Sequence, residues 1–487
     1  MTEATHREPS MLDALIPVIA LIALLASSVY LYGADSSYGA NQIALLLGAG
    51  IAAIIGIKNG ITWKTIEEGI VHGISVSLGA VLILLAVGSL IGTWMLSGTV
   101  PTLIYYGLNW LNPSIFYPST LVICALVGLS IGSSWTVAGT LGIALIGVAS
   151  AMGLSPAITA GAIISGAYFG DKMSPLSDTT NLSPAVAGSE LFNHIRHMMW
   201  TTVPSMLIAL VLFTMVGLSE SVGVADAEFS NMTEVLQANF NLGIHMLIPL
   251  FLVIYMAFRK MPAFPTMMIG ALVGGLFAAA FQADEVIRTA AREDLATGMA
   301  LLSGVWTALF AGFSSDTGNA AVDALLSRGG MESMLNTIWL VLCAMTFGAV
   351  LETTGILKKL LNAALTMVHG TGSLILTTLL TSFGCNLIAA DQYIAIVLPG
   401  RLYRLEFRRR GLTPVNLSRA LEDAGTITSP LIPWNTCGAY MAGTLGVPTL
   451  VYLPYCFFNI VNPLLAGAYA WMNFKVERIE NESPQGA

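Results

Sequence analysis

A segment in the first half of the chain gathers oxygen-bearing side chains around one proline. It runs from Gly170 to Asn181 and reads GDKMSPLSDTTN. Pro175 lacks the backbone donor that a helix needs and clashes with the preceding turn, so a helix that contains it must open there. Carboxylate and hydroxyl oxygens beside such an opening suit a hard cation. The segment supplies six of these side chains: Asp171, Ser174, Ser177, Asp178, Thr179 and Thr180.

A second break is predicted in the other half of the chain, where a Ser-Pro pair at 429–430 and the run PWNT at 433–436 interrupt an apolar stretch. We expect the two breaks to meet near the middle of the bilayer together with the tips of two hairpins, as in transporters built from inverted repeats. The hairpin tips and the second break add Ser133, Ser134, Asn386, Ser429, Asn435 and Thr436. Within the whole set we place Na+ at Asp178, Thr179 and Asn435.

Further charged residues are expected inside the membrane, where a charge costs at least ~2.5 kcal/mol on insertion scales. Asp391 is predicted two helical turns from the second hairpin tip and facing the interior. Glu352 is either a proton-coupling group or an interfacial residue. Lys172 is a structural charge partner, and its neighbour Asp171 either pairs with it or binds the ion.

The composition places most of the chain in a bilayer. The 487 residues include 20 basic and 28 acidic ones, 55% are hydrophobic, and the mean hydropathy is +0.76, whereas about a quarter of a soluble protein is charged. This excludes an ordinary soluble enzyme, and the sequence has no basic stripe for nucleic acid. Motifs for nucleotides, zinc hydrolysis and serine catalysis are absent from it, and five isolated cysteines indicate packing. We therefore expect neither enzyme activity nor a cofactor.

Ten membrane-spanning helices are predicted. Eight are continuous apolar runs, at residues 12–33, 41–57, 72–97, 198–218, 241–258, 264–282, 336–352 and 448–471. Two more, at 154–190 and 412–440, are interrupted by Pro, Gly and polar residues and are interpreted as discontinuous helices. Glu422 and Asp423 precede the second interruption, either in an inner vestibule or at a solvated helix start. The apolar run at 299–313 is too short to cross.

The two halves are predicted to be inverted repeats. Four short matches recur in the same order at offsets of 252 to 258 residues, among them GDKMSPL at 170–176 and GTITSPL at 425–431. Residues 147–153 carry no charge, whereas their counterpart at 401–410 holds five arginines. The positive-inside rule therefore puts the two loops on opposite faces. The predicted fold class is an all-α polytopic membrane protein with two inverted-topology repeats of about five helices, each with a re-entrant hairpin and a discontinuous helix.

The hairpin of the second repeat must re-enter the membrane, because two full spans need about 40 residues and it has 31. Its tip is expected near Gly384, and that of its partner near Gly132. In chain order the expected parts are a cytoplasmic tail at 1–11, repeat 1 at 12–218 with a hairpin at 114–152, an external loop at 219–240, repeat 2 at 241–472 with a hairpin at 370–400, and a cytoplasmic tail at 473–487. This topology puts 16 of the 20 cations on the cytoplasmic side.

A carboxylate that binds Na+ when ionised and H+ when neutral makes the two ions compete, which is sufficient for exchange at one site. Removal from water raises the pKa of a carboxylate towards neutrality, so the competition would act at physiological pH. We assign this role first to Asp178, which lies between the hydroxyls of Ser177 and Thr179.

The run GAYFGDKMSPLSDTTNLSP at 166–184, closed by Gly188, resembles the signature of NhaC-type Na+/H+ antiporters, and RGGMESM at 328–334 and SPLIPWNT at 429–436 are also similar to that family. The resemblance covers nearly the whole chain. It implies an exchanger of Na+, or of Li+, for H+ in the cytoplasmic (inner) membrane, related to an ion-transporter superfamily and often dimeric. In that superfamily Ser-Asn-Thr motifs at the breaks hold Na+. Here Asp178 replaces the Asn, which adds a charge and fits a site that must also accept a proton.

The same family includes members that resemble Na+-coupled exchangers of organic acids such as malate and lactate. A carboxylate substrate favours a cationic or hydroxyl-rich pocket, and Lys172 is the one cation expected inside the membrane. If Asp171 neutralises it, little remains for an organic anion. Na+/H+ exchange is therefore the first hypothesis and organic-acid exchange the alternative. The expected partners are Na+, H+, the lipid bilayer and a second copy of the chain.

Overall fold

The structure is a computed structural model that describes residues 7–220, 226–292, 294–366 and 368–479. Parts of the expected tails, at 1–6 and 480–487, and of the expected external loop, at 221–225, lie outside the described residues. The described chain is helical, and its β-type pairing is a single isolated bridge between Leu412 and Arg478.

The helices of the first half are Met11–Tyr32, Ala40–Lys58, Trp63–Leu96, Thr99–Trp110, Phe116–Ile131, Ser134–Ala151, Pro156–Met173, Asp178–Ala187, Leu191–Ser219 and Asp226–Asn239. Those of the second half are Ile248–Phe258, Ala263–Phe281, Ala283–Ala290, Thr297–Phe310, Ala320–Leu326, Leu335–Thr353, Ile356–Leu365, Thr371–Ile388, Gln392–Arg409, Pro414–Leu421, Thr436–Leu445, Thr449–Tyr452 and Phe457–Trp471.

Nine of the described helices are long and apolar enough to cross a membrane, and two bent pairs raise the number to eleven. A polytopic membrane protein is thereby confirmed. Two predicted spans are not single long helices. The one at 448–471 bends by 61° between Thr449–Tyr455 and Phe457–Trp471, and the one at 241–258 is long enough only together with the preceding helix, from which Ile244–Phe258 is bent by 87°. The prediction missed the first of these bends because the apolar composition continues through it. Thr297–Phe310 has 14 residues, as short as expected.

The first hairpin consists of Phe116–Ile131 and Ser134–Ala151. Its turn includes Gly132, whose φ of +73° lies in the left-handed region that glycine adopts readily. Ser133 then caps the second arm, because its hydroxyl accepts a hydrogen bond from the backbone N–H of Thr136 at 3.2 Å. The turn therefore lies near the expected tip.

The first broken helix consists of Pro156–Met173 and Asp178–Ala187. The first segment ends before Pro175, and Ser177 caps the second by accepting from the backbone of Thr180. The Thr180 hydroxyl also donates to two carbonyls in the last turn of the first segment, at 3.1 and 3.0 Å. The backbone groups that the break leaves free are thus hydrogen-bonded by hydroxyl side chains of the same segment.

The second hairpin consists of Thr371–Ile388 and Gln392–Arg409. Its turn lies at 389–391, so the expected tip near Gly384 is wrong, since the helix continues through it for one more turn. Asp391 is at the turn instead of two helical turns down an arm. The second arm also extends past 400, so the arginine-rich stretch at 401–410 is mostly helical. Each arm has 18 residues, so the expected length of 31 residues for the hairpin, from which re-entry was predicted, is wrong. The prediction was wrong because it placed the turn at Gly384, and a glycine can also lie inside a continuous helix, as it does in Thr371–Ile388.

The second broken helix begins with Pro414–Leu421, continues through a π-helical turn at Glu422–Thr426, and resumes at Thr436–Leu445. The first arm of the second hairpin packs against the π-helical turn. In the other half the first arm of the first hairpin lies directly on the first broken helix: a Cβ at Gly170 would come within 2.4 Å of the Leu129 backbone nitrogen. Each hairpin therefore supports one broken helix.

Candidate functional site

A cavity of about 260 Å³ lies where the two hairpin turns meet the two breaks. Both hairpins and both broken helices contribute to its wall, and Trp63–Leu96 covers one side. The polar residues that line it are Ser77, Ser133, Ser134, Asp171, Ser177, Asp178, Thr179, Asp391, Gln392, Tyr393 and Thr436. Eight of these were site candidates from the sequence, so the structure brings most of the predicted set together.

Asp171 is held in the cavity wall by the turn of the first hairpin. It is 8% exposed, and one of its oxygens accepts hydrogen bonds from the backbone N–H of Ser134 at 3.0 Å and from the Ser134 hydroxyl at 2.7 Å. Hydrogen bonds of this kind stabilise the ionised form of a carboxylate. The turn of the first hairpin therefore offsets part of the cost of ionising Asp171 in its buried position.

Asp178 lies at the first position of the second segment of the first broken helix. Its side chain is exposed towards the cavity rather than buried. The hydroxyls of Ser177 and Thr179 lie 3.2 Å apart on either side of it in sequence. The structure thus places Asp178 at the accessible edge of the cavity and Asp171 deeper in the wall.

Asp391 comes from the opposite half of the molecule. One carboxylate oxygen accepts from the backbone N–H groups of Tyr393 and Ile394 at 2.9 and 3.1 Å, which caps the second arm of the second hairpin. The other oxygen accepts from the hydroxyl of Thr436 at 3.4 Å. Because Thr436 begins the last segment of the second broken helix, this contact joins a hairpin turn to a break.

The cavity contains three carboxylates, and no lysine or arginine of the described chain lines it. The three are not gathered around one point: within the described ranges, no three acidic, histidine or cysteine side chains could hold one metal ion together. A single Na+ in the cavity would therefore contact at most two carboxylates, with hydroxyls, carbonyls or water as its other ligands.

Lys172 points away from the cavity, and its ammonium contacts Asp423 in the π-helical turn and Asn462 at 2.8 Å. The alternative in which Lys172 pairs with Asp171 is therefore wrong, because successive residues of a helix face different directions. Arg419 is a second fully buried cation, so Lys172 is not the one cation in this region as expected. Arg419 was not expected to be buried, because it lies among polar residues before the second break.

Six candidates do not line the cavity, among them Thr180, whose hydroxyl closes the first break instead. Asn386 and Asn435 hold the second break together: the Asn435 amide donates to the side-chain oxygen of Asn386 at 3.1 Å, and Asn386 donates to Thr428. Ser429 donates to a carbonyl one turn earlier. The others are Ser174, which caps the turn at the first break, and Glu352, which is exposed near the end of Leu335–Thr353.

Sequence reasoning missed several residues of the cavity wall. Gln392 and Tyr393 follow Asp391 in the turn that was expected elsewhere. Trp135 lies one residue after Ser134, and its ring stacks on Tyr440 with centroids 4.0 Å apart. Trp135 could have been predicted from its position next to a predicted hairpin tip. Aromatic residues in a membrane protein are, however, usually interpreted as interfacial anchors.

The chain matches the model of the "Na+/H+ antiporter family" over residues 166–474. It is 38% identical over 456 residues to the Na(+)/H(+) antiporter NhaC of Alkalihalophilus pseudofirmus, with 94% of each chain covered. It is 39% identical to the malate-2H(+)/Na(+)-lactate antiporter of Bacillus subtilis, covering 88% of this chain and 89% of that protein. It is 36% identical to the arginine/ornithine antiporter ArcD of Halobacterium salinarum, covering 99% and 96%. The chain therefore belongs to the NhaC-type Na+/H+ antiporter family.

Proposed function

We propose that this protein exchanges Na+, and also Li+, for H+ at the cavity between the two breaks. The observation that carries the proposal is the set of three carboxylates, Asp171, Asp178 and Asp391, around a cavity without a lining cation among the described residues. Uncompensated negative charge near the middle of a membrane protein attracts a cation and equally accepts a proton. Family membership supports the same conclusion.

The exchange would work by competition. Na+ enters past Asp178, binds the ionised Asp171 and takes remaining ligands from hydroxyls such as that of Ser133. A proton that binds the same carboxylate removes its charge and releases the cation. Because the two ligands exclude each other, the loaded site carries either Na+ or H+, and alternate opening to the two faces then moves them in opposite directions. No cofactor takes part in this scheme.

Everted membrane vesicles test the proposal directly. With an internal acid pH established and reported by an acid-quenched dye, addition of Na+ without any organic acid should restore the fluorescence. Asp171→Asn and Asp178→Asn should each abolish or strongly weaken the response. A response that requires malate or lactate would favour the organic-acid alternative, and wild-type rates and Na+ affinities in both variants would remove these carboxylates from the site.

Two relatives have names that include organic substrates, so the same vesicles should be given malate, lactate, arginine and ornithine in turn. The cavity has the volume for a small organic molecule. Its acidic lining disfavours an organic anion, since an anion needs cationic or donor groups. A cationic amino acid is electrostatically compatible with it. If arginine drives proton movement and Na+ does not, arginine would replace Na+ as the proposed substrate.

We further propose that the chain spans the cytoplasmic membrane as two inverted repeats, with both termini cytoplasmic and a homodimer as the working unit. The charge distribution supports the orientation, because most Lys and Arg residues then lie inside. Single cysteines introduced at exposed positions into a variant lacking the five native ones would report the sides by labelling. Labelling of Arg292→Cys from the outside and of Arg408→Cys from the inside is expected, and the reverse pattern would overturn the orientation.

A further inference from the structure

A second group of charged side chains lies behind the cavity wall, on the side to which Lys172 points. We call it the buried charge cluster, and its ionisable members are Lys172, Arg419, Glu422 and Asp423. All four are at most 1% exposed. The cluster joins the first segment of the first broken helix to the π-helical turn of the second. Lys172 was expected as a charge partner, and the alternative that Glu422 and Asp423 lie at a solvated helix start is wrong because both are fully buried. None of the four lines the cavity.

Asp423 is the carboxylate of this cluster that the two cations, Lys172 and Arg419, compensate. Asp423 contacts Lys172 and accepts from the hydroxyl of Thr201 at 3.0 Å, and Arg419 lies 4.0 Å from its second oxygen. Lys172 is also bound to Asn462. Asp423 therefore has the partners that an ionised carboxylate requires in a buried environment.

Glu422, the adjacent residue, lacks such partners. One carboxylate oxygen contacts the hydroxyl of Ser183, and the other has no hydrogen-bond partner in the described part of the chain. Burying an ionised carboxylate with one oxygen unbonded is unfavourable, and Lys172, the cation of the first broken helix, is already paired with Asp423. In this conformation the surroundings of Glu422 therefore favour the protonated form, and a conformational change that brings water, a donor or a cation to it would favour ionisation.

The position of Glu422 connects this proton to the transport site. Its partner Ser183 lies on Asp178–Ala187, the segment whose first residue lines the cavity. Glu422 itself lies in a π-helical turn, a local irregularity that is frequent at functional sites. Any movement of this segment against the π-helical turn changes the surroundings of both carboxylates. The charged groups that surround Glu422 are Lys172 from the first broken helix and Arg419 and Asp423 from its own helix.

We infer that Glu422 carries a transported proton of its own, in addition to the proton that competes with Na+ in the cavity. The inference rests on the proposed Na+/H+ exchange. The proton binds Glu422 when that residue is open to one side of the membrane, stays on the buried carboxyl group during the conformational change, and dissociates to water on the other side. On the return step, with Na+ in the cavity, Glu422 crosses in its ionised form, so each transport cycle moves one more proton than the cavity alone would exchange for Na+.

The test is the number of protons exchanged per Na+, measured in proteoliposomes as the Na+ gradient at which a set pH gradient and membrane potential give no net flux. We expect Glu422→Gln to exchange one proton fewer per Na+ than the wild type while it still catalyses exchange of radioactive Na+ for unlabelled Na+. Glu68→Gln, which alters an exposed glutamate at the start of Trp63–Leu96, is the matched control and should keep the wild-type ratio.

An unchanged ratio in Glu422→Gln would overturn the inference. Loss of Na+/Na+ exchange in a variant that remains folded and monodisperse would also overturn it, since Glu422 would then belong to Na+ binding. If Glu422→Gln does not fold, Ser183→Ala provides the decision: removing the hydroxyl donor should move the pH of half-maximal exchange upwards, and an unchanged pH profile would overturn the inference. Failure of the wild type to exchange Na+ for H+ would instead refute the proposed function, which is a distinct result.

Discussion

The carboxylate of Asp171 is bound by Ser134 through two hydrogen bonds, one from its backbone N–H at 3.0 Å and one from its hydroxyl at 2.7 Å. Ser134 begins the second arm of the first hairpin, and Asp171 lies in the last turn before the first break. A helix start directs its positive dipole end at the carboxylate as well. The contact therefore fixes the hairpin against the break and favours the ionised state of Asp171, which the proposed Na+ site requires.

Replacing Ser134 by alanine should weaken Na+ binding without unfolding the protein. The variant loses the hydroxyl donor but keeps the backbone donor, and a hydrogen bond to a charged group contributes about 1.5 to 3 kcal/mol. We therefore expect the KM for Na+ in vesicles to rise by about tenfold or more, with normal amounts of protein in the membrane.

The matched control for that variant is Ser130→Ala. Ser130 is exposed near the end of the first arm, and its hydroxyl donates to a carbonyl one turn earlier. It should leave the KM for Na+ unchanged. An equal rise of the KM for Na+ in both variants would mean that any change in this part of the hairpin impairs transport, and it would contradict a specific role of Ser134.

Competition between Na+ and H+ predicts a definite pH dependence. As the pH falls, protonation removes the ionised carboxylate, so the KM for Na+ should rise by about tenfold per pH unit at the acidic end if one proton competes. At high pH the KM should reach a constant value, and the maximal rate at saturating Na+ should vary much less. Initial rates of dye dequenching over a matrix of pH and Na+ concentration measure both quantities. A KM that is independent of pH would exclude competition at one site.

Gly132 is predicted to be intolerant of any side chain. Its φ is +73°, and a Cβ there would lie 2.8 Å from the backbone carbon of Leu176 and the backbone nitrogen of Ser177. Gly132→Ala must therefore push the hairpin turn away from the first break, and we expect transport to fall by about tenfold or more. Gly50→Ala is the control, because nothing lies within 4 Å of a Cβ at that position. Wild-type transport in Gly132→Ala would show that the turn and the break move independently.

The broken helices were predictable from the sequence because proline and its hydroxyl neighbours act locally: Pro175 removes a backbone donor and clashes with the preceding turn, and the hydroxyls beside it satisfy the backbone groups that the break frees. The second hairpin turn was not, since Gly384 is compatible with a continued helix and the turn falls instead where Asp391 caps the next arm. The same limit applies to Lys172, whose partner is 251 residues away. Sequence spacing identifies a buried cation, but it does not say which distant carboxylate the chain brings to it.

Lys172 and Asp423 should be strongly coupled in stability. Removing one member of a buried ion pair leaves the other charge uncompensated, at a cost of about 3 to 5 kcal/mol. Lys172→Met should therefore lower the thermal stability of the purified protein sharply, and Asp423→Asn should do the same. The double variant should recover much of the loss, because neither charge remains. If the loss of thermal stability in the double variant equals the sum of the losses in the two single variants, Lys172 and Asp423 are not coupled.

The C-terminal segment after the last helix provides the final prediction. The side chain of Asn416, which is fully buried, accepts from the backbone N–H of Glu477 at 3.0 Å and donates to its carbonyl at 2.7 Å. These bonds place the segment over Arg419, whose guanidinium donates to the Lys475 carbonyl at 3.0 Å. Asn416→Ala should therefore destabilise the protein by about 1 to 3 kcal/mol and leave the KM for Na+ unchanged, because the cavity is not involved. Asn193→Ala, at an exposed position, is the control in thermal unfolding, and equal stability of the two variants would mean that the segment is not held by Asn416.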